Sequence, residues 1–138
     1  MRAIDYAFKE FGVKEISGKE DNPEVLKYFD SIGFNGAALK DETAWCSAFV
    51  NWSVLKSGVE PTRKLNARSW LEWGNETFTP KFGDIVVFWR ENPNSWKGHV
   101  AYFVCERQGW TYVLGGNQGN QVKISAYPTS RALSYRTA

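Results

Sequence analysis

Three polar residues of this chain stand where chemistry can be built: Cys46, His99 and Asn117. Cys46 lies in DETAWCSAFVNW, where a loop-like run turns into an apolar pattern, and is one of two cysteines. His99 opens the run HVAYFVCE and is the sole histidine. Asn117 lies in GGNQ, directly after WTYVL. A cysteine in the first turn of a helix sits among free backbone N–H groups. Their partial positive charge favours the thiolate, the nucleophilic form. The same donors can hold an oxyanion formed beside the sulfur. An imidazole within reach would take the thiol proton, and an amide at its far nitrogen would fix the ring. Each residue also has an ordinary reading: a small buried hydrophobe, a structural or surface histidine, a turn asparagine. Their joint placement at a helix start, a strand start and a strand end favours the chemical reading.

The elements that must position them follow from the apolar spacing. Residues 2–11 read as a helix with Ile4, Ala7, Phe8 and Phe11 on one face and Gly12 as its stop. Asn22-Pro23 starts a second helix, PEVLKYFDSI, with Val25, Leu26 and Phe29 inward. A third helix covers about 43–57, with Asp41 or Thr43 as N-cap. Its wide apolar face holds Trp45, Ala48, Phe49, Trp52 and Leu55. The short segment NARSWLEW reads as helical and ends at Gly74. Then the period changes. FGDIVVFW, HVAYFVCE, WTYVLGG, QVKISAY and ALSYR are β-branched and aromatic runs between turn residues. Helices followed by strands predict an α+β fold, with N-terminal helices packed on a C-terminal antiparallel sheet of about five strands. Antiparallel neighbours bring the start of one strand beside the end of the next, so His99 and Asn117 should meet.

Composition narrows the classes. The chain has 138 residues, enough for one domain with one core, read as spanning 1–138. The net charge is only +2 and no Lys/Arg block occurs, which argues against a nucleic-acid partner. No apolar run approaches the length of a membrane span. MRAIDYAFKEFG is interrupted by Asp5, Lys9 and Glu10 and does not read as a signal peptide, so synthesis in the cytoplasm is expected. Cysteines in such a chain argue only weakly for a disulfide. Cys105 alternates with Ala101 and Phe103 and reads as core, and Asp84 before IVVFW reads as a turn cap. One histidine and two distant cysteines do not make a zinc ligand set, and no P-loop or dinucleotide pattern occurs, so no cofactor or metal is expected. Aromatic residues reach 16%, with seven tryptophans, enough for a groove that grips an extended polymer as well as a core.

The ordered set WCSAFVNW, GDIVVFW, GHVAYFV and VLGGNQ resembles the Cys-His peptidoglycan hydrolases. These are the CHAP amidases and their NlpC-type relatives of the papain-like superfamily, here most similar to a small single-domain branch of phages, prophages and bacteria. The resemblance implies a papain-like fold with Cys46 as nucleophile, His99 as general base and Asn117 as the residue that orients the ring. Gln118 is the alternative to Asn117. Two departures stand out: Gly115 and Gly116 occupy the place where many CHAP members carry an acid, and the second histidine of many NlpC-type relatives is missing. Glu42, Trp45, Trp73, Trp96 and Gln118 are candidate substrate contacts, with capping the favoured role for Glu42 and core packing the default for the tryptophans. The resemblance further implies cleavage of an amide bond in or next to the stem peptide of bacterial peptidoglycan, with no separate wall-binding domain. A phage lysis enzyme is the expected setting. A secreted amidase toxin, an acyltransferase or amidase acting on another small substrate, and a non-catalytic wall-binding module are the alternatives. The expected state is a monomer without stable membrane insertion, acting on the wall after release or delivery.

Overall fold

The structure is a computed structural model and describes residues 1–14, 23–34 and 45–138. Helix α1, Ala3–Phe8, opens with the Arg2 backbone N–H donating to Asp5 Oδ2 at 2.8 Å. It buries Ile4 and Ala7. Because it ends at Phe8, Phe11 does not share that face and stands 56% exposed, against the sequence expectation. Helix α2, Pro23–Asp30, buries Val25, Tyr28 and Phe29, so Tyr28 takes the inward place expected of Leu26. Its ring meets Trp45, Phe49 and Trp52 at centroid distances of 5.9, 5.1 and 5.3 Å. Its hydroxyl escapes burial without a partner by donating to Glu10 Oε1 at 2.9 Å.

Helix α3, Cys46–Lys56, is buried continuously from Cys46 to Val54 rather than along one face. α1, α2 and the sheet surround it. A helix enclosed on all sides must satisfy its polar residues internally. Ser47 Oγ donates to Lys64 O at 2.7 Å and accepts the Trp70 indole N–H at 3.0 Å. Asn51 Nδ2 donates to Ser47 O at 2.8 Å and to Lys64 O at 3.1 Å, while its Oδ1 accepts from Arg63 N at 2.6 Å. These bonds tie the chain after α3 back onto the helix. A 3₁₀ helix, Ala67–Glu72, follows, with Trp70 fully buried.

The strands are β1 (Asn75–Thr77), β2 (Ile85–Trp89), β3 (Gly98–Arg107), β4 (Trp110–Gly115), β5 (Lys123–Pro128) and β6 (Ala132–Thr137). They form one six-stranded antiparallel sheet in the order β1-β6-β2-β3-β4-β5. The α+β class stands as expected. The additional strand, β1, is three residues long and polar, too short to carry a pattern in the sequence. One face packs Ile85, Val87, Val100, Tyr102 and Leu114 against the helices. The other gathers Val86, Phe88, Ala101 and Val113 with Tyr127, Ala132 and Tyr135. Cys105 belongs to neither cluster. A register shift between Phe103 and Cys105 interrupts the alternation that predicted a core position, and the free thiol is half-buried. Asp84 caps its turn as expected, accepting from Lys81 N at 2.8 Å. Among the described residues no helix is long and apolar enough to cross a membrane.

Candidate active site

Trp45 takes the N-cap position of α3 with φ −103° and ψ 10° and offers no side-chain cap. The candidate caps Asp41 and Thr43 lie outside the described residues, as does Glu42. Cys46 is thus the first residue of the helix. The bond from Phe49 N to Trp45 O, 2.9 Å, is the first of its ladder. The N–H groups before Phe49 have no carbonyl within the helix to bond. Burial alone pushes the Cys46 thiol up, because a charged sulfur is poorly solvated there. The charge and hydrogen bond of His99, with the backbone N–H groups of Val100 and Ser47, outweigh it and hold the thiol below its ordinary range.

His99 is the second residue of β3 and pairs with Phe88 across the ladder. It is only 5% exposed. Its ring lies against Tyr127 at 5.2 Å and Phe88 at 6.5 Å between centroids. The residue bonded to the ring is Gln118, not Asn117: His99 Nε2 meets Gln118 Oε1 at 2.9 Å. The surroundings of Gln118 settle who donates. Its Nε2 reaches Lys123 O at 2.6 Å and Val113 O at 3.4 Å. Carbonyls only accept, so the amide nitrogen must face them and Oε1 must face the ring. His99 therefore donates its Nε2–H, and Nδ1 is the nitrogen left to accept a proton from Cys46.

Backbone conformation explains why the adjacent residue wins. Asn117 sits at φ 58°, a left-handed conformation that asparagine tolerates, and so serves as the turn residue after β4. That turn carries the next side chain back over the strand end. Gln118 N donates to Gln121 O at 3.0 Å, while Val122 N to Val13 O and Gly12 N to Val122 O, both 2.8 Å, pin the loop to the N-terminal segment. The two glycines before it make room. A Cβ on Gly115 would lie 2.7 Å from Gln118 Oε1 and 2.9 Å from Ala101 Cβ. A Cβ on Gly116 would lie 2.8 Å from the Trp45 ring. The space that a side chain at position 115 would take is here filled by the Gln118 amide.

The other candidates separate. Trp45 is 1% exposed, stacked on Tyr28, and cannot present its face to a substrate. Trp73 donates its indole N–H to Glu60 O at 2.8 Å and lines a different cavity of about 410 Å³, whose walls include neither Cys46 nor His99. Trp96 stands 75% exposed between β2 and β3, three residues before His99, where it can meet a passing polymer. The cavity at the histidine, about 280 Å³, is bounded by His99, Asn117, Gln118, Tyr127, Arg90 and Arg131. Two participants carry no signal in the sequence. Val100 acts through its backbone N–H, which any residue supplies. Tyr127 reaches the ring from β5, a strand two places from β3 in the sheet and far from it in sequence.

A buried thiol held low by an imidazole, with an amide fixing the tautomer, can attack a carbonyl and pass a proton to a leaving group. Comparison with curated proteins gives no match. The family description "CHAP domain" matches residues 38–117, more than half of the chain, a stretch that contains Cys46, His99 and Asn117 and ends one residue before Gln118. The chain belongs to the CHAP domain family, whose members are typically cysteine- and histidine-dependent hydrolases of peptidoglycan.

Proposed function

We propose that this protein hydrolyses an amide bond in or beside the stem peptide of bacterial peptidoglycan, with Cys46 as nucleophile, His99 as acid and base, and Gln118 as the residue that positions His99. The observation that carries the reading is the pairing of a depressed Cys46 thiol with an imidazole whose far nitrogen is committed to Gln118. Nδ1 of His99 takes the thiol proton and the sulfur attacks the amide carbonyl carbon. The C–S bond forms and the carbonyl electrons move to oxygen, where N–H groups at the start of α3 receive them. His99 then protonates the amide nitrogen, the C–N bond breaks, and a thioester remains. Water, giving its proton to Nδ1, attacks the thioester and releases the acid and the thiol. Asn117 shapes the turn that delivers Gln118.

The setting we favour is a phage or prophage lysis enzyme, made in the cytoplasm and acting on the wall after release. The amidase and endopeptidase forms of the reaction share this chemistry and differ only in which amide reaches Cys46. Digestion of purified sacculi with wild type and Cys46→Ala, followed by mass analysis of the fragments, tests the nucleophile and names the bond. Cleavage should vanish in Cys46→Ala and on thiol alkylation, and should survive EDTA. Undiminished clearing by Cys46→Ala would remove this residue from the reaction.

A further inference from the structure

We infer that the cavity beside His99 is an anion subsite that binds a carboxylate of the substrate's peptide through Arg131 and Arg90. This deepens the proposed function and rests on it for the identity of the substrate. Among the described residues, the walls of this cavity carry two guanidinium groups and no acidic side chain. Arg131 closes the 3₁₀ helix Thr129–Arg131, where the chain crosses from β5 to β6. It is held in place twice: its Nη2 donates to Trp89 O at 3.0 Å, and its guanidinium lies 4.7 Å over the Trp89 ring. Its Nε is buried and has no hydrogen-bond partner among the described residues. A guanidinium held rigid at a cavity wall offers its remaining outward N–H groups to a carboxylate as charge-assisted donors, with little further ordering to be done on binding. Arg90, directly after β2, adds a second cation from the exposed rim.

The cavity borders the reaction centre at His99, while Cys46 is not among its walls. Tyr127 lines it, touches the His99 ring at 5.2 Å, and feels the charges of Cys46, Arg90 and Arg131 together. Its hydroxyl has no partner among the described residues and can donate to the same carboxylate. An anion bound there would lie beside the imidazole that pairs with the thiol. The enzyme would then choose which amide reaches Cys46 by where the peptide carries its free carboxylate.

The test uses paired muropeptides that differ only in one carboxyl group, free or amidated. Wild type should prefer the free carboxylate in kcat/KM by roughly tenfold to a hundredfold. Arg131→Gln with Arg90→Gln should bring the ratio close to one. Arg131→Lys, which keeps the charge but loses the planar guanidinium fork, should fall between. Arg107→Gln, an exposed cation at the other end of β3, should keep the wild-type ratio. Absence of any preference in wild type, or its survival in the double variant, overturns the subsite. A second readout does not need turnover: N-acetylalanine, but not its amide, should slow iodoacetamide alkylation of Cys46 in wild type and not in the double variant. If wild type cleaves neither muropeptide, the peptidoglycan reading fails, and the protection experiment still decides the subsite. Equal protection by acid and amide, or protection retained without the arginines, counts against it.

Discussion

Replacing Gln118 by alanine separates a positioning side chain from a turn residue. The substitution removes the acceptor 2.9 Å from His99 Nε2 and leaves that N–H buried without a partner. A hydrogen bond to a charged ring contributes about 1.5–3 kcal/mol. With one decade per ~1.4 kcal/mol, the loss in kcat should lie between roughly tenfold and a hundredfold. Lys123 O, bonded at 2.6 Å, also loses its donor, so folding should cost about 1–3 kcal/mol and Tm should fall by several degrees. Initial rates on sacculi should therefore be measured well below the transition, with circular dichroism confirming the fold. A loss of stability alone would not move the pH at which Cys46 becomes alkylatable. A ring released from Gln118 should move it upward, because the pairing that lowers the thiol is weakened. Asn117→Gly is the counterpart, since glycine accepts φ 58° without cost and removes only the side chain. Its rate should stay within about threefold of wild type. A tenfold loss in Asn117→Gly beside a near-normal Gln118→Ala, both folded, would refute the assignment.

Three further outcomes follow from the same geometry. Iodoacetamide should alkylate wild-type Cys46 with an inflection below the ordinary thiol value of about 8.5, since the lowering influences outweigh burial. In His99→Ala burial remains while the ring's charge and hydrogen bond are gone, so the inflection should rise above the wild-type one; an unchanged profile would exclude the pairing. Gly115→Ala should expel the Gln118 amide from its place and reproduce the kinetic defect of Gln118→Ala, read as kcat on sacculi, with KM changed less. Tyr28→Ala should cost about 3–5 kcal/mol in urea unfolding, by analogy with large aromatic truncations, because three rings and Glu10 lose their common neighbour. A cost below ~1 kcal/mol would mean that α2 contributes little to holding α3.

How much was legible in the sequence depended on whether the signal was local. The helix-then-strand order is written in hydrophobic period, and the α+β class followed from it. Cys46 and His99 were legible because a helix start and a strand start have recognisable flanks. The choice between Asn117 and Gln118 was not, because it turns on one φ angle and on a side chain folding back over Gly115. Leu26 and Tyr28 both fit an inward-facing stripe; the aromatic cluster around Trp45 decided for Tyr28. α3 read as one-sided because its polar residues Ser47, Asn51 and Ser53 look solvated until their partners on Lys64, Arg63 and Tyr102 are placed. Tyr127 on β5 and Arg131 just after it reach the site from far along the chain, which no local pattern encodes.

The bare backbone at Gly115 has a consequence for how this site can change over generations. An acidic side chain placed at position 115 to steer His99 would compete with the Gln118 amide for one volume, so the two arrangements would exclude each other. Gaining the acid first would evict the amide before the new carboxylate had a settled place. Losing the glutamine first would leave the ring unsteered. A lineage passing from one solution to the other must cross a weakened intermediate in either order. The pair Gly115–Gln118 should therefore be inherited together, and grafting only half of it into a relative should fail where grafting both succeeds.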